Sequence, residues 1–180
     1  MRFPKLHLVC SDDDLRPVMS CVCVDKEYTF ASDTHILVRH KTSELFTDAF
    51  IESLPEGQIL IPRKAIFLVC QKMTTEVSLS DDKKLFQIHR KDESIISFKL
   101  FTDGTYPNGN SVIPDLKDMK PVDEIGISSN LLDRLSDGLG CERPILRLRF
   151  FDKMRAIYVT SIFTDYGSAV GVIMPVIIND

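Results

Sequence analysis

One order of elements recurs along this chain: a strand, a helix with its apolar residues on one stripe, then three more strands. The clearer copy begins at Gln58. Residues 58–61 read as a strand, and Pro62 suits the first turn of a helix, where its missing N–H is not needed. That helix is expected to reach about Met73, with Ala65, Ile66, Val69, Cys70 and Met73 along one face. Strands over residues 76–80, 85–89 and 94–101 follow, the first two joined by the polar turn 81–84. From Ile125 the order returns. A strand at 125–127 leads into a helix capped by Ser129 and striped by Leu131, Leu132, Leu135 and Leu139. Gly140 is the expected stop, and strands over 145–151, 156–163 and 169–178 close the unit. Such a unit leaves a helix stripe and a sheet face uncovered, so it must pack against another of its kind. The chain is therefore expected to be α+β, built from repeated β-α-β-β-β units with antiparallel sheets and short helices.

The segment before Gln58 reads as a third copy without its helix. Residues 18–24 and 28–31 form a hairpin across 25–27, residues 35–39 a further strand, and 42–54 a stretch with a helical turn. Arg16 follows Ser11-Asp12-Asp13-Asp14, where the lost helix should end. With a linker at 117–121, this divides the chain into a two-unit domain over 1–116 and a half-domain over 122–180.

Composition narrows the function. The 44% apolar and 27% charged content is that of an ordinary globular protein, and no apolar run approaches the ~20 residues that span a bilayer, so no membrane partner is expected. The first residues lack a secretion-type apolar core, and five cysteines cannot all pair within the chain, so the cytoplasm is the expected compartment. Cys21 and Cys23 fall on one face of a strand and read as small core residues rather than metal ligands or a redox pair. A net charge of −4 argues against coating nucleic acid with the whole surface but leaves room for a local basic face. There is no phosphate-binding glycine loop and no Gly-x-Ser-x-Gly turn. Asp33-Thr34-His35 offers too few ligands for a metal, and Asp12 to Asp14 read as a solvated loop. No catalytic residue, metal or cofactor is expected.

Three segments point further: Ala31-Ser32-Asp33-Thr34-His35-Ile36-Leu37, then Tyr106-Pro107 with Val112-Ile113-Pro114, then Val172-Ile173-Met174-Pro175-Val176. In this order they resemble the bacterial DNA sliding clamp, the β subunit of the replicative polymerase. Leu15 to Ser20 is similar to the start of the first sheet of that family's middle domain. Ile61 to Ala65 is similar to the opening of its second helix, and the chain from Ile125 to the closing half of its third domain. The resemblance implies a DNA-clamp-like fold, no catalysis and a homo-oligomer. It also implies an apolar pocket for short peptides of polymerases or repair proteins. By position, Met19, Ser32, Thr34, His35, Leu37, Pro114, Val172, Met174, Pro175 and Val176 would line that pocket.

Double-stranded DNA is the second implied partner, through Arg63, Lys64 and Lys72 on a helix segment without acidic residues. The plainer readings are that Met19, Leu37, Val172 and Met174 are core strand residues and that the basic face is merely solvated. The family carries glycine where this chain has Thr34 and a basic residue where it has Ile36, and its first domain and the opening half of its third find no counterpart here. The alternative role is a clamp-fold interaction or assembly module that does not touch DNA.

Overall fold

The N-terminal hairpin shows how local chemistry sets the frame. In the computed structural model, which describes residues 3–141 and 145–177, strand β1 (Cys21–Val24) turns into β2 (Tyr28–Ser32). Asp25 makes the turn: its Oδ1 accepts the Glu27 and Tyr28 N–H groups, each at 2.7 Å. The first residues of the expected strand behave differently. Pro17–Ser20 is a 3-10 turn, because Pro17 starts it and the Ser20 hydroxyl donates back to the Pro17 carbonyl at 2.7 Å. Strand β3 (Ile36–Lys41) follows, then two short helices in the stretch expected to hold one turn, α1 (Thr42–Leu45) and α2 (Asp48–Ser53).

The second unit opens with β4 (Ile59–Pro62) and α3 (Arg63–Val69). This helix is shorter than its apolar spacing suggested. It stops at Val69, and the Thr74 hydroxyl donates to the Leu68 carbonyl at 2.9 Å, which pulls the chain straight into β5 (Thr74–Leu79). Lys72 therefore lies in a turn beyond the helix. Strands β6 (Leu85–Arg90) and β7 (Ile95–Lys99) complete a three-stranded sheet.

In the third unit the expected strand at 125–127 shrinks to one bridge between Gly126 and Val176. Helix α4 (Ser129–Gly138) is capped by Ser128, one residue earlier than expected, and Gly140 ends it at φ +70°. Strands β8 (Leu146–Arg149), β9 (Ile157–Ser161) and β10 (Val170–Ile173) follow. Ile178, the end of the expected last strand, lies outside the described residues.

The units are not side by side with separate cores. β10 pairs antiparallel with β3, giving one seven-stranded sheet in the order β4-β1-β2-β3-β10-β9-β8. The boundary drawn at 117–121 marks a change of sequence unit, but the sheet and core run across it. Alternation along the strands splits the apolar residues into two layers. Val22, Val38, Ile61, Ile66, Phe86, Leu135 and Ile173 belong to the main core, while Cys21, Cys23, Phe30, Leu37, Leu60 and Val172 form a smaller cluster with Met19 and Tyr106. Both cysteines are free and buried, as their spacing suggested. Ahead of the first hairpin, where the unit's helix would stand, the chain has the short 3-10 turn Leu6–Leu8, which touches both α3 and α4. Gly138 lets α4 settle closely, since a Cβ there would lie 2.3 Å from Val9 Cγ2. Among the described residues no helix is long and apolar enough to cross a membrane.

His40 of β3 is fully buried under this helix. Its Nε2 lies 2.8 Å from the Gly138 carbonyl, so that nitrogen must carry the proton. Burial holds the imidazole below its usual 6.5, against weaker opposite pulls from the Gly138 carbonyl and Glu44. Below pH 6.5 the unfolded chain takes up a proton that the folded chain resists. The contribution to stability is thus complete above that pH and declines as pH falls, by at most about 1.4 kcal/mol per unit. His7, lowered mainly by its own burial, acts in the same direction. Urea denaturation at pH 7.5 and 5.5 should show the loss, and His40→Gln, which keeps a donor but cannot titrate, should reduce it. An unaltered pH dependence in that variant would contradict the assignment.

Candidate functional site

Met19, Leu37, Tyr106 and Val172 of the smaller apolar cluster reach an opening at the surface. There a cavity of about 390 Å³, within the ~300–1,000 Å³ range of small-ligand sites, is walled by four stretches of chain. These are Arg16 and Met19, Ser32 with residues 34–37, residues 106–109 with Val112, and Val172 with Met174. Strand pairing brings the last of them in: Val172 lies opposite Leu37, Ile173 opposite Ile36, and the Met174 N–H donates to the His35 carbonyl at 2.8 Å. The lining is mostly apolar. Arg16 is its one permanently charged side chain, and Ser32, His35 and Asn108 add a few polar atoms.

The turn at 32–36 is held by its own side chains. Asp33 Oδ1 accepts the His35 and Ile36 N–H groups at 2.8 and 2.9 Å, and the Ser32 hydroxyl donates to the Ile36 carbonyl at 2.7 Å. Thr34 sits at its apex with φ +83°, the left-handed region that favours glycine. The opposite wall is the strap after β7. Gly109 lets it lie on the sheet, since a Cβ there would come within 2.4 Å of the Phe30 ring. Arg39 fastens it by donating to Asn110 Oδ1 at 2.7 Å while its guanidinium stacks on Tyr28.

Of the ten residues the sequence suggested for a pocket, Met19, Ser32, Thr34, His35, Leu37, Val172 and Met174 line this cavity. Three do not. Pro114 lies past Ile113, which packs on the buried cluster. Pro175 and Val176 carry the chain away, and Val176 donates its N–H to the Gly126 carbonyl at 2.9 Å beside a different, smaller cavity. Ile36, Tyr106, Pro107 and Val112 also line it; they lie inside the three marked segments but outside the ten residues, whereas Arg16, Asn108 and Gly109 were missed altogether. A signal existed for the strap: Pro107-Asn108-Gly109 between Tyr106 and Val112 is a turn framed by apolar residues.

The basic residues fare differently. Arg63 and Lys64 open α3, but Lys72 lies beyond its end. Arg63 donates to the Ser11 carbonyl at 3.2 Å, and Asp12, Asp13 and Asp14 line the same shallow groove as Arg63 and Lys64. The helix carries no acidic residue, yet the fold brings three to it. Nearby, Lys5 is paired with Asp137 at 2.8 Å.

No protein-family model matches the sequence, and no curated protein matches it significantly. Solved structures do. A sliding clamp from Pseudomonas aeruginosa superposes with a TM-score of 0.64 at 15% identity, over 97% of this chain and 63% of that one. The Bacillus subtilis clamp gives 0.61 at 14% identity, covering 98% and 64%. The Bartonella birtlesii DNA polymerase III subunit beta, solved bound to griselimycin, gives 0.67 at 15%, covering 97% and 63%. The chain has the sliding-clamp fold. It spans a little under two thirds of the length of these clamps.

In this clamp fold Thr34 carries a measurable cost. A left-handed backbone penalises a residue with a Cβ by about 1–2 kcal/mol, whereas glycine pays about 0.5–1 kcal/mol in extra chain entropy. Thr34→Gly should therefore stabilise the fold by up to about 1 kcal/mol and raise the thermal midpoint by about 2–4 °C. A lowered midpoint in differential scanning calorimetry would show that the Thr34 side chain is worth more than its strain.

Proposed function

We propose that this chain is a non-catalytic, sliding-clamp-like protein of DNA replication or repair that works by holding a short peptide of a polymerase or repair protein in the apolar cavity. One observation carries the reading: four stretches that are remote in sequence converge on a largely apolar hollow with few polar atoms and no acidic lining residue. Such a hollow takes branched apolar side chains from an extended peptide, and Met19 and Met174 can adjust to varied ones. The clamp fold supports this role. Oligomerisation belongs to the same proposal and is read out by light scattering at several concentrations.

A specific observation favours the second reading, a clamp-fold interaction module with little direct hold on DNA. Asp12 to Asp14 beside Arg63 and Lys64 cancel the field that α3 would present to phosphates. Even if Arg63, Lys64 and Lys72 all met phosphates, three contacts would give a slope of log K against log salt of only about −2.7. Electrophoretic or anisotropy titration with duplex DNA over 50–200 mM salt is expected to give a slope no steeper than this. A slope near −6 would mean a basic surface larger than α3 offers.

The pocket is tested by fluorescence anisotropy with a labelled clamp-binding peptide. Met174 and Val112 are 40% and 51% exposed, so an arginine at either place blocks the cavity without burying a charge. Met174→Arg and Val112→Arg should each raise Kd at least about tenfold with the thermal midpoint unchanged, about 1.4 kcal/mol of lost binding. Leu37 is unsuitable for this purpose, because at 6% exposure a charge there disrupts the cluster beneath. Equal affinity in both variants and the parent chain would falsify the pocket assignment.

A further inference from the structure

The turn that walls the cavity is anchored from outside it. While Asp33 Oδ1 takes the two N–H groups of the turn, its Oδ2 meets Arg134 Nη2 at 2.8 Å. Arg134 stands in the middle of α4, in the third unit, and its Nε donates to the Leu8 carbonyl at 2.8 Å. The Asp33 side chain is only 9% exposed and that of Arg134 27%, so water screens this pair less than a surface one. One guanidinium therefore joins the N-terminal turn, α4 and the loop that shapes the cavity. None of Arg134, Leu8 or α4 lines the cavity itself.

The brace acts where the backbone is least at ease. Thr34, next to Asp33, is held at φ +83°, and such a conformation persists only when its surroundings over-determine it. β3 is fixed on both sides by β2 and β10, so the strand beyond the turn has independent support. The turn has less of it: its ends are paired, and the Met174 N–H donates to the His35 carbonyl at 2.8 Å, but these ties leave Asp33 and Thr34 unpaired by strands. Apart from the internal hydrogen bonds, Asp33 is tied by the Arg134 ion pair, and the Arg16 contact to the Thr34 hydroxyl is long at 3.4 Å.

We propose that Arg134 is a positioning residue for the cavity: through Asp33 it holds the strained 32–36 turn in its receptive shape, so peptide affinity depends on helix α4. This rests on the peptide-binding reading above, yet it has a readout that does not. The variants are Arg134→Ala, Arg134→Lys and the double change Arg134→Ala with Thr34→Gly, all in the 180-residue chain. In the free protein, exchange of the His35 and Ile36 amide protons should quicken at least about tenfold in Arg134→Ala, the scale expected when one member of a coupled network is lost. With the same labelled peptide, Kd should rise about tenfold in Arg134→Ala and recover in part in Arg134→Lys. Most of the loss should be regained in the double variant, because a turn relaxed by glycine no longer needs the brace.

A merely structural arginine would lower the thermal midpoint without selective exchange at these two amides, and glycine at 34 would not rescue binding. Either result overturns the proposal. If the parent chain fails to bind peptide, the pocket reading falls, and the exchange measurement alone decides whether Arg134 holds the turn.

Discussion

The pairing of β10 with β3 is the contact on which this molecule turns. Without it the chain would be a hairpin domain and a loose third unit, each with an uncovered sheet edge and an apolar layer open to water. With it, Val172 lands opposite Leu37 and Ile173 opposite Ile36. The same two pairs divide their side chains between the layers: Ile36 and Ile173 go into the main core, Leu37 and Val172 into the cluster beneath the cavity. A slip of one residue would exchange those faces, placing the cavity's floor in the core and the core's residues under the strap. The register is therefore set by burial on both sides of the sheet at once. The cavity is a by-product of that register, since Met174 reaches it only because its N–H continues the ladder to His35.

Periodicity made most of the elements legible. The α4 stripe of Leu135 and Leu139 is buried as expected, and the alternation of β1 and β2 sets their faces correctly. Cys70 and Met73 fit the apolar spacing and suggest a longer helix from Arg63 than the one that forms, while the capture of the Leu68 carbonyl by the Thr74 hydroxyl leaves no local mark in sequence. The apolar residues at Ile125 suggest a strand, yet among the described residues only Gly126 of that stretch forms a bridge. The cavity was partly legible for a different reason. Segments 31–37, 106–107 with 112–114, and 172–176 are marked by resemblance, but the contributions of Arg16, Asn108 and Gly109 depend on how a long connection lies across a sheet. Neither periodicity nor spacing encodes that path.

Charge placement shows a similar gap between sequence and space. Read along the chain, Arg63 and Lys64 are an uncompensated basic pair, and Asp12 to Asp14 an unrelated loop some fifty positions earlier. Read in space they share a groove. Arg134, which looks like one more surface cation between Asp133 and Asp137, instead turns inward to Asp33 and Leu8. Most of the cations near the helices are thus engaged in holding the fold together, which leaves the apolar cavity as the surface with the clearest chemical preference.

The wide spacing of the two central strands also governs when the molecule can exist at all. Leu37 and Val172 are ~135 positions apart, so closing that contact carries a loop-entropy cost that grows with the logarithm of the intervening length. Contacts of this span slow folding. During synthesis, β1 to β3 leave the ribosome long before β10 does, and throughout that interval the outer edge of β3 presents unpaired amides and carbonyls to any passing strand. A nascent chain of this protein is therefore most exposed to mispairing along the edge where its mature sheet is later at its most continuous.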